Sequence, residues 1–145
     1  MALQSCACAN ERIERPRILL VEDEPFVREA TCSILQNAGF EVLPAEDARA
    51  AMKVYEECGH RVDLLMTDMV LPGRTGQQLG QDVRKRSPEI AVLVTSGYGE
   101  AAYETEMPEA STYFLAKPYS RRTLVEKIET ILASSVKLRS ATQAS

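Results

Sequence analysis

The sequence predicts an α/β fold in which a parallel sheet is covered by helices on both faces. Three observations carry this reading. Five apolar runs rich in β-branched residues occur along the chain, each too short for a globular helix. Helical patterns separate them. The central runs are near-continuously apolar rather than alternating, as strands buried from both sides must be. At 145 residues the chain is one domain of ordinary size, able to bury a substantial core.

The elements follow in order. RILLV (17–21) is the first strand. A helix over 25–38 starts at Pro25, suited to a first helical turn, presents Val27, Ala30, Thr31, Ile34 and Ala38 on one face, and stops at Gly39. FEVLP (40–44) is the second strand, and a helix over 47–57 opens on Asp47 as N-cap with Ala51, Val54 and Tyr55 inward. VDLLMT (62–67) is the third strand, and Pro72-Gly73 breaks the chain before a helix over 75–86 that begins at Thr75 and ends before Ser87-Pro88. IAVLVTS (90–96) is the fourth strand. The segment 99–107 is a weaker helix closed by Pro108. TYFLAKP (112–118) is the fifth strand, and a last helix over 120–133 places Leu124, Ile128, Ile131 and Leu132 inward. Residues 1–15 and 135–145 show no packing pattern and are expected to be a flexible leader and a flexible tail around a domain spanning 16–134.

Composition excludes several function classes. Hydrophobic residues make up 45% and charged residues 26%, as in a soluble globular chain. The net charge of −4, with both signs interspersed, offers no basic footprint for nucleic acid. No apolar run approaches the roughly 20 residues needed to span a bilayer, and the N-terminus lacks a signal-peptide core. Cys6, Cys8, Cys32 and Cys58, with the single histidine at His60, have poor zinc-ligand spacing and read as reduced thiols of a cytoplasmic protein.

In a doubly wound sheet, ligands bind outside the carboxyl ends of the strands. The first strand ends in Glu22-Asp23, the third in Asp68, the fourth in Ser96 and the fifth in Lys117. All fall on one edge. Three carboxylates at adjacent strand ends repel one another, and a hard divalent cation such as magnesium relieves that repulsion through oxygen ligands. A lysine and a hydroxyl are donors of the kind that hold a phosphoryl group, and an aspartate beside them can attack phosphorus to form an acyl phosphate. Taken singly, Glu22-Asp23 would serve as acids at a helix start, Lys117 would end a strand, and Ser96 beside Gly97 would be turn chemistry. Four strand ends converging on one edge set the combination apart.

LLVEDEP, TDMVLPGRTG, LVTSGY and LAKPY, in this order over roughly residues 16–134, resemble the signature blocks of the response-regulator receiver domain of two-component signalling. The SGY and KP blocks are similar to receivers at the C-termini of hybrid histidine kinases. The resemblance implies a flavodoxin-like (βα)5 fold with strand order 2-1-3-4-5, and phosphoryl transfer from a histidine kinase or histidine phosphotransfer protein. By it, Asp68 is the phosphoacceptor. Asp23 and Asp68 ligate Mg2+ directly, Glu22 through water, and the backbone carbonyl of Val70 completes the protein ligands. Ser96 is the switch hydroxyl, with Thr95 as the competing register. Lys117 pairs with Asp68 at rest and with the phosphoryl group afterwards. Phe114 stands at the switch-aromatic position, without a hydroxyl. Such a domain catalyses only its own phosphorylation and dephosphorylation, and signals to a downstream protein partner through the face formed by 99–107, the fifth strand and the last helix, near Tyr98, Tyr103, Phe114 and Tyr119.

Two other classes remain. A haloacid-dehalogenase-type phosphatase also uses an aspartate nucleophile and magnesium, but that family's second aspartate would fall at Val70 and its nucleophile would follow the first strand. A receiver that docks without carrying phosphate is the binding-module alternative. The chain reads equally as a stand-alone regulator or as part of a longer kinase.

Overall fold

The computed structural model describes residues 15–97 and 112–144, with side chains as far as 134. The helix expected over 99–107, Tyr98, Tyr103, Cys6 and Cys8 lie outside the described residues. The elements are β1 (Arg17–Val21), α1 (Pro25–Asn37), β2 (Glu41–Ala45), α2 (Ala48–Glu57), β3 (Leu64–Asp68), the short β4 (Val70–Leu71) and β5 (Arg74–Thr75), α3 (Gly76–Arg86), β6 (Ala91–Ser96), β7 (Thr112–Ala116) and α4 (Arg121–Ala144). Five strands form one parallel sheet in the order β2-β1-β3-β6-β7, with β4 and β5 as a separate antiparallel pair. Leaving that pair out of the count, the order is the expected 2-1-3-4-5, and the fold is flavodoxin-like. Pro44 lies in the edge strand β2, where a missing backbone donor is tolerated.

Successive side chains of a strand point to opposite faces, so the sheet divides its apolar residues between two cores. Leu19, Val21, Leu65, Val92 and Val94 pack with Ala48, Ala51, Tyr55, Leu79 and Val83 of α2 and α3. Ile18, Leu20, Leu64, Met66 and Leu93 pack with Leu35 of α1 and Leu124, Ile128 and Ile131 of α4.

Caps fix the helix starts that matter. Asp47 accepts from the Ala50 amide, and Thr75 and Gln78 form a reciprocal capping box at α3. Two expectations need correcting. The inward stripe of α1 centres on Thr31 and Leu35, one turn apart, while Ala30 and Ala38 face solvent. The last helix continues to Ala144, where a tail was expected from 135. Its stretch from Ser135 to Ala144 contains no glycine or proline, so the loss of the apolar stripe does not by itself end the helix. No helix among the described residues is long and apolar enough to cross a membrane.

Candidate functional site

The carboxyl edge of the sheet gathers the residues that strand-end reasoning singles out. Asp68 is the last residue of β3, paired with Thr95 of β6, and is 7% exposed. Glu22 directly follows β1 and is 5% exposed, whereas Asp23 faces solvent. One carboxylate oxygen from each of Glu22, Asp23 and Asp68 can be chosen so that all three lie within 4.8 Å of one another. Lys117, directly after β7, bridges two of these acids: its Nζ lies 2.7 Å from Asp68 Oδ1 and 3.2 Å from Glu22 Oε1. That ion pair answers how a carboxylate can end a core strand: the charge is matched where it is buried.

Strand parity explains which hydroxyl reaches Asp68. Leu64 and Met66 face the α1/α4 core, so Asp68, two residues further on, shares that face; Leu93 places Thr95 there as well. Thr95 Oγ1 donates to Asp68 Oδ1 at 2.8 Å. Ser96 is fully buried, and its hydroxyl makes no hydrogen bond among the described residues. Its backbone carbonyl accepts from the Lys117 amide at 2.7 Å, fixing the lysine beside β6. The structure thus brings Glu22, Asp23, Asp68 and Lys117 together and adds Thr95, while Ser96, the next residue along β6, falls on the opposite face of the strand. Val70 lies in β4, two residues beyond Asp68, with its side chain 55% exposed. Phe114 packs against the core on the α2/α3 face.

Electrostatics follow from burial and crowding. Burial, reinforced by the neighbouring Asp68 carboxylate, pushes the Glu22 carboxyl up to about 7, although the Glu24 amide and Lys117 oppose the shift. Burial alone would lower the Lys117 ammonium, yet Asp68 and Glu22 hold it above its ordinary value. Tyr119, two residues past Lys117, is raised by burial, against a lowering influence from Thr31 of α1.

Two positioning contacts escape sequence reasoning. Arg28 Nη1 donates to the Glu22 carbonyl at 2.7 Å, a contact with no motif to announce it. Gly76 opens α3 directly against the end of β3: a Cβ there would lie 2.1 Å from the Asp68 carbonyl oxygen. The glycine beside Thr75 in the sequence is the only hint of so close an approach.

The donor set suits a hard divalent cation. Its members are carboxylate oxygens, close enough to share one ion and too crowded to be comfortable without one. His60, by contrast, pairs with Glu56 at 2.8 Å on the α2 side of the molecule.

A doubly wound domain with an acid pocket at its strand ends, closed by a lysine, defines the class. Residues 18–129 match the family model of the response regulator receiver domain, and the chain belongs to that family. The chain is 36% identical over 116 residues to the sensor kinase CckA of Brucella abortus, a match covering 79% of this chain and 12% of the kinase. It is 31% identical over 120 residues to the transcriptional regulatory protein AruR of Pseudomonas aeruginosa, covering 81% of this chain and 49% of that protein. The chain therefore spans half or less of these relatives. Among solved structures, the receiver domain of the hybrid histidine kinase CckA superposes with a TM-score of 0.70 at 35% identity, covering 80% of this chain and 98% of that one.

Proposed function

We propose that the chain is the phosphoacceptor of a two-component phosphorelay, taking a phosphoryl group onto Asp68 from a phosphohistidine of a kinase or phosphotransfer protein. The single observation that supports this best is the Asp68 carboxylate at 2.7 Å from Lys117, within one cluster with Glu22 and Asp23. An Asp68 oxygen attacks phosphorus, the phosphorus–nitrogen bond to the donor imidazole breaks, and an acyl phosphate forms. Lys117 then moves its contact from the carboxylate to a phosphoryl oxygen. The Thr95 hydroxyl, which donates to Asp68 Oδ1 at 2.8 Å at rest, is the donor for another, taking the switch role expected of Ser96. Asp23 and Asp68, with the Val70 carbonyl and with Glu22 through water, would hold Mg2+. When bound, the ion neutralises charge on the transferring group. The same residues later release the phosphoryl group to water, so the domain turns over only its own modification.

The donor is a protein, and the apolar surface beside the pocket fits one. Phe26, in the first turn of α1, and Val70 are the large hydrophobics exposed among the described residues, at 81% and 55%. Both stand within four residues of a pocket acid in sequence. Output passes to a downstream protein partner, and the domain works in the cytoplasm, where reduced thiols at Cys32 and Cys58 are at home.

Incubation with a small acyl phosphate and magnesium tests the reading, with intact mass as readout. The parent should gain one phosphate and Asp68→Asn none. Equal incorporation into both would overturn the assignment. Incorporation into neither, with kinases of the source organism also inactive as donors, would favour a receiver that only docks. Phe26→Ala should slow transfer from a kinase while leaving transfer from the small donor unchanged.

A further inference from the structure

The turn that carries Glu22 and Asp23 is held from two sides. From the sheet, the Glu22 amide donates to the Ala45 carbonyl of β2 at 3.0 Å. From α1, Arg28 Nη1 donates to the Glu22 carbonyl at 2.7 Å, a short, charge-assisted bond. The loop between closes on itself: the Glu24 amide reaches Glu22 Oε2 at 3.1 Å, and the Arg28 amide returns to the Glu24 carbonyl at 2.8 Å. Lys117 also reaches this turn, but at the Glu22 carboxylate, 3.2 Å away; among the described residues the Arg28 guanidinium is the side chain from beyond the turn that holds its backbone.

We propose that Arg28 is a positioning residue for the divalent-cation site, clamping the β1–α1 turn so that Glu22 and Asp23 face Asp68. This rests on the reading of the acid cluster as a cation site. The charge of Arg28 acts the other way. A guanidinium bonded to the backbone of an acid in the cluster repels a divalent ion, so on electrostatics alone its removal should tighten binding. If the clamp matters more than the charge, removal should weaken binding. The two effects have opposite signs.

Calorimetric titration of the full chain with Mg2+ alone decides between them, using the parent, Arg28→Lys and Arg28→Gln. Lysine keeps the charge but has a single ammonium in place of the planar fork, so the carbonyl is held less firmly. Glutamine removes the charge and shortens the reach. The expected order of affinity is parent, then Lys, then Gln, with Arg28→Gln weaker by about tenfold, as for loss of an outer-shell partner. Thermal unfolding without metal checks that each variant is folded. Binding by Arg28→Gln as tight as the parent's, or tighter, overturns the clamp. Should Arg28→Gln fail to fold, Arg28→Lys decides: its charge is parental, so weaker binding supports the clamp and parental binding overturns it. A parent that binds no Mg2+ overturns the cation site itself, a result distinct from parental binding that the variants leave unchanged.

Discussion

Thr95 and Ser96 are adjacent hydroxyls with different circumstances, and stability should separate them. Thr95 is bonded to Asp68, whereas Ser96 is buried with no partner among the described residues. Removing a buried, unused hydroxyl relieves a desolvation cost, while removing a used one forfeits a hydrogen bond to a charged group. Thr95→Val should therefore lower resting stability by about 1 to 2 kcal/mol, whereas Ser96→Ala should leave it unchanged or slightly higher. Urea unfolding of the unphosphorylated variants checks this; a loss in Ser96→Ala matching that of Thr95→Val would count against the assignment of partners. Glu22 gives a pH signature at the same scale. Its carboxyl rises from the ordinary 4.5 to about 7 in the metal-free fold, so between those values the native state holds a proton that the unfolded chain has lost. Stability from this group is present at the acid end and is lost as pH rises through the window. Without metal, the parent should be less stable at about pH 8 than at about pH 5 by a margin that Glu22→Gln removes. A parental slope in Glu22→Gln would show that another group titrates.

The elements most legible in sequence are those whose signals are local. Asp47 and Thr75 cap the helices expected of them, and the five apolar runs become the five strands of the main sheet. The pocket acids and Lys117 were legible too, because strand order in a doubly wound sheet puts strand ends on one edge. What stayed hidden depends on parity or on contacts between elements. Whether Thr95 or Ser96 meets Asp68 turns on which face of β6 each occupies, and a run buried on both faces carries no alternation to reveal it. The contact of Arg28 with Glu22 joins a helix to a strand end, and periodicity does not report it. Gly76 belongs to this group, and it yields a prediction about the junction of α3 with β3. Its amide donates to the Met69 carbonyl at 2.8 Å, and the first turn of the helix sits against the Asp68 backbone. A methyl group there meets backbone at 2.1 Å and the Thr67 side chain at 3.0 Å, neither of which is the free end of a flexible chain. Gly76→Ala should cost about 1 to 3 kcal/mol, the usual range for overpacking, and should weaken Mg2+ binding because the displaced atoms are the backbone of Asp68, a member of the acid cluster. Parental stability and parental affinity together would show that the junction yields.

For the molecule as a whole, crowding of three carboxylates opposes stability, and on the proposed reading magnesium relieves it. Asp68→Asn exposes the balance. The variant loses the ion pair with Lys117, but Lys117 is 30% exposed and keeps Glu22 at 3.2 Å, so that loss is modest. The amide still has an oxygen to accept the Thr95 hydroxyl. Against this, one of three crowded carboxylates has lost its charge, and the Glu22 carboxyl is freed from one of the causes of its upward shift. The relief and the loss are of similar size, so without metal Asp68→Asn should unfold within about 1 kcal/mol of the parent or be more stable by that amount. Added magnesium should then separate the two. An ion that binds only the folded chain raises stability by mass action, about 2.7 kcal/mol at a hundred times Kd. The parent should show that rise. The variant, lacking one carboxylate of the cluster, should show much less at the same concentration, so that the order of stability reverses as magnesium increases. Thermal unfolding of both proteins across a magnesium series is the measurement. A variant already several kcal/mol below the parent without metal would make Asp68 a structural residue, and parallel magnesium responses would remove it from the cation site.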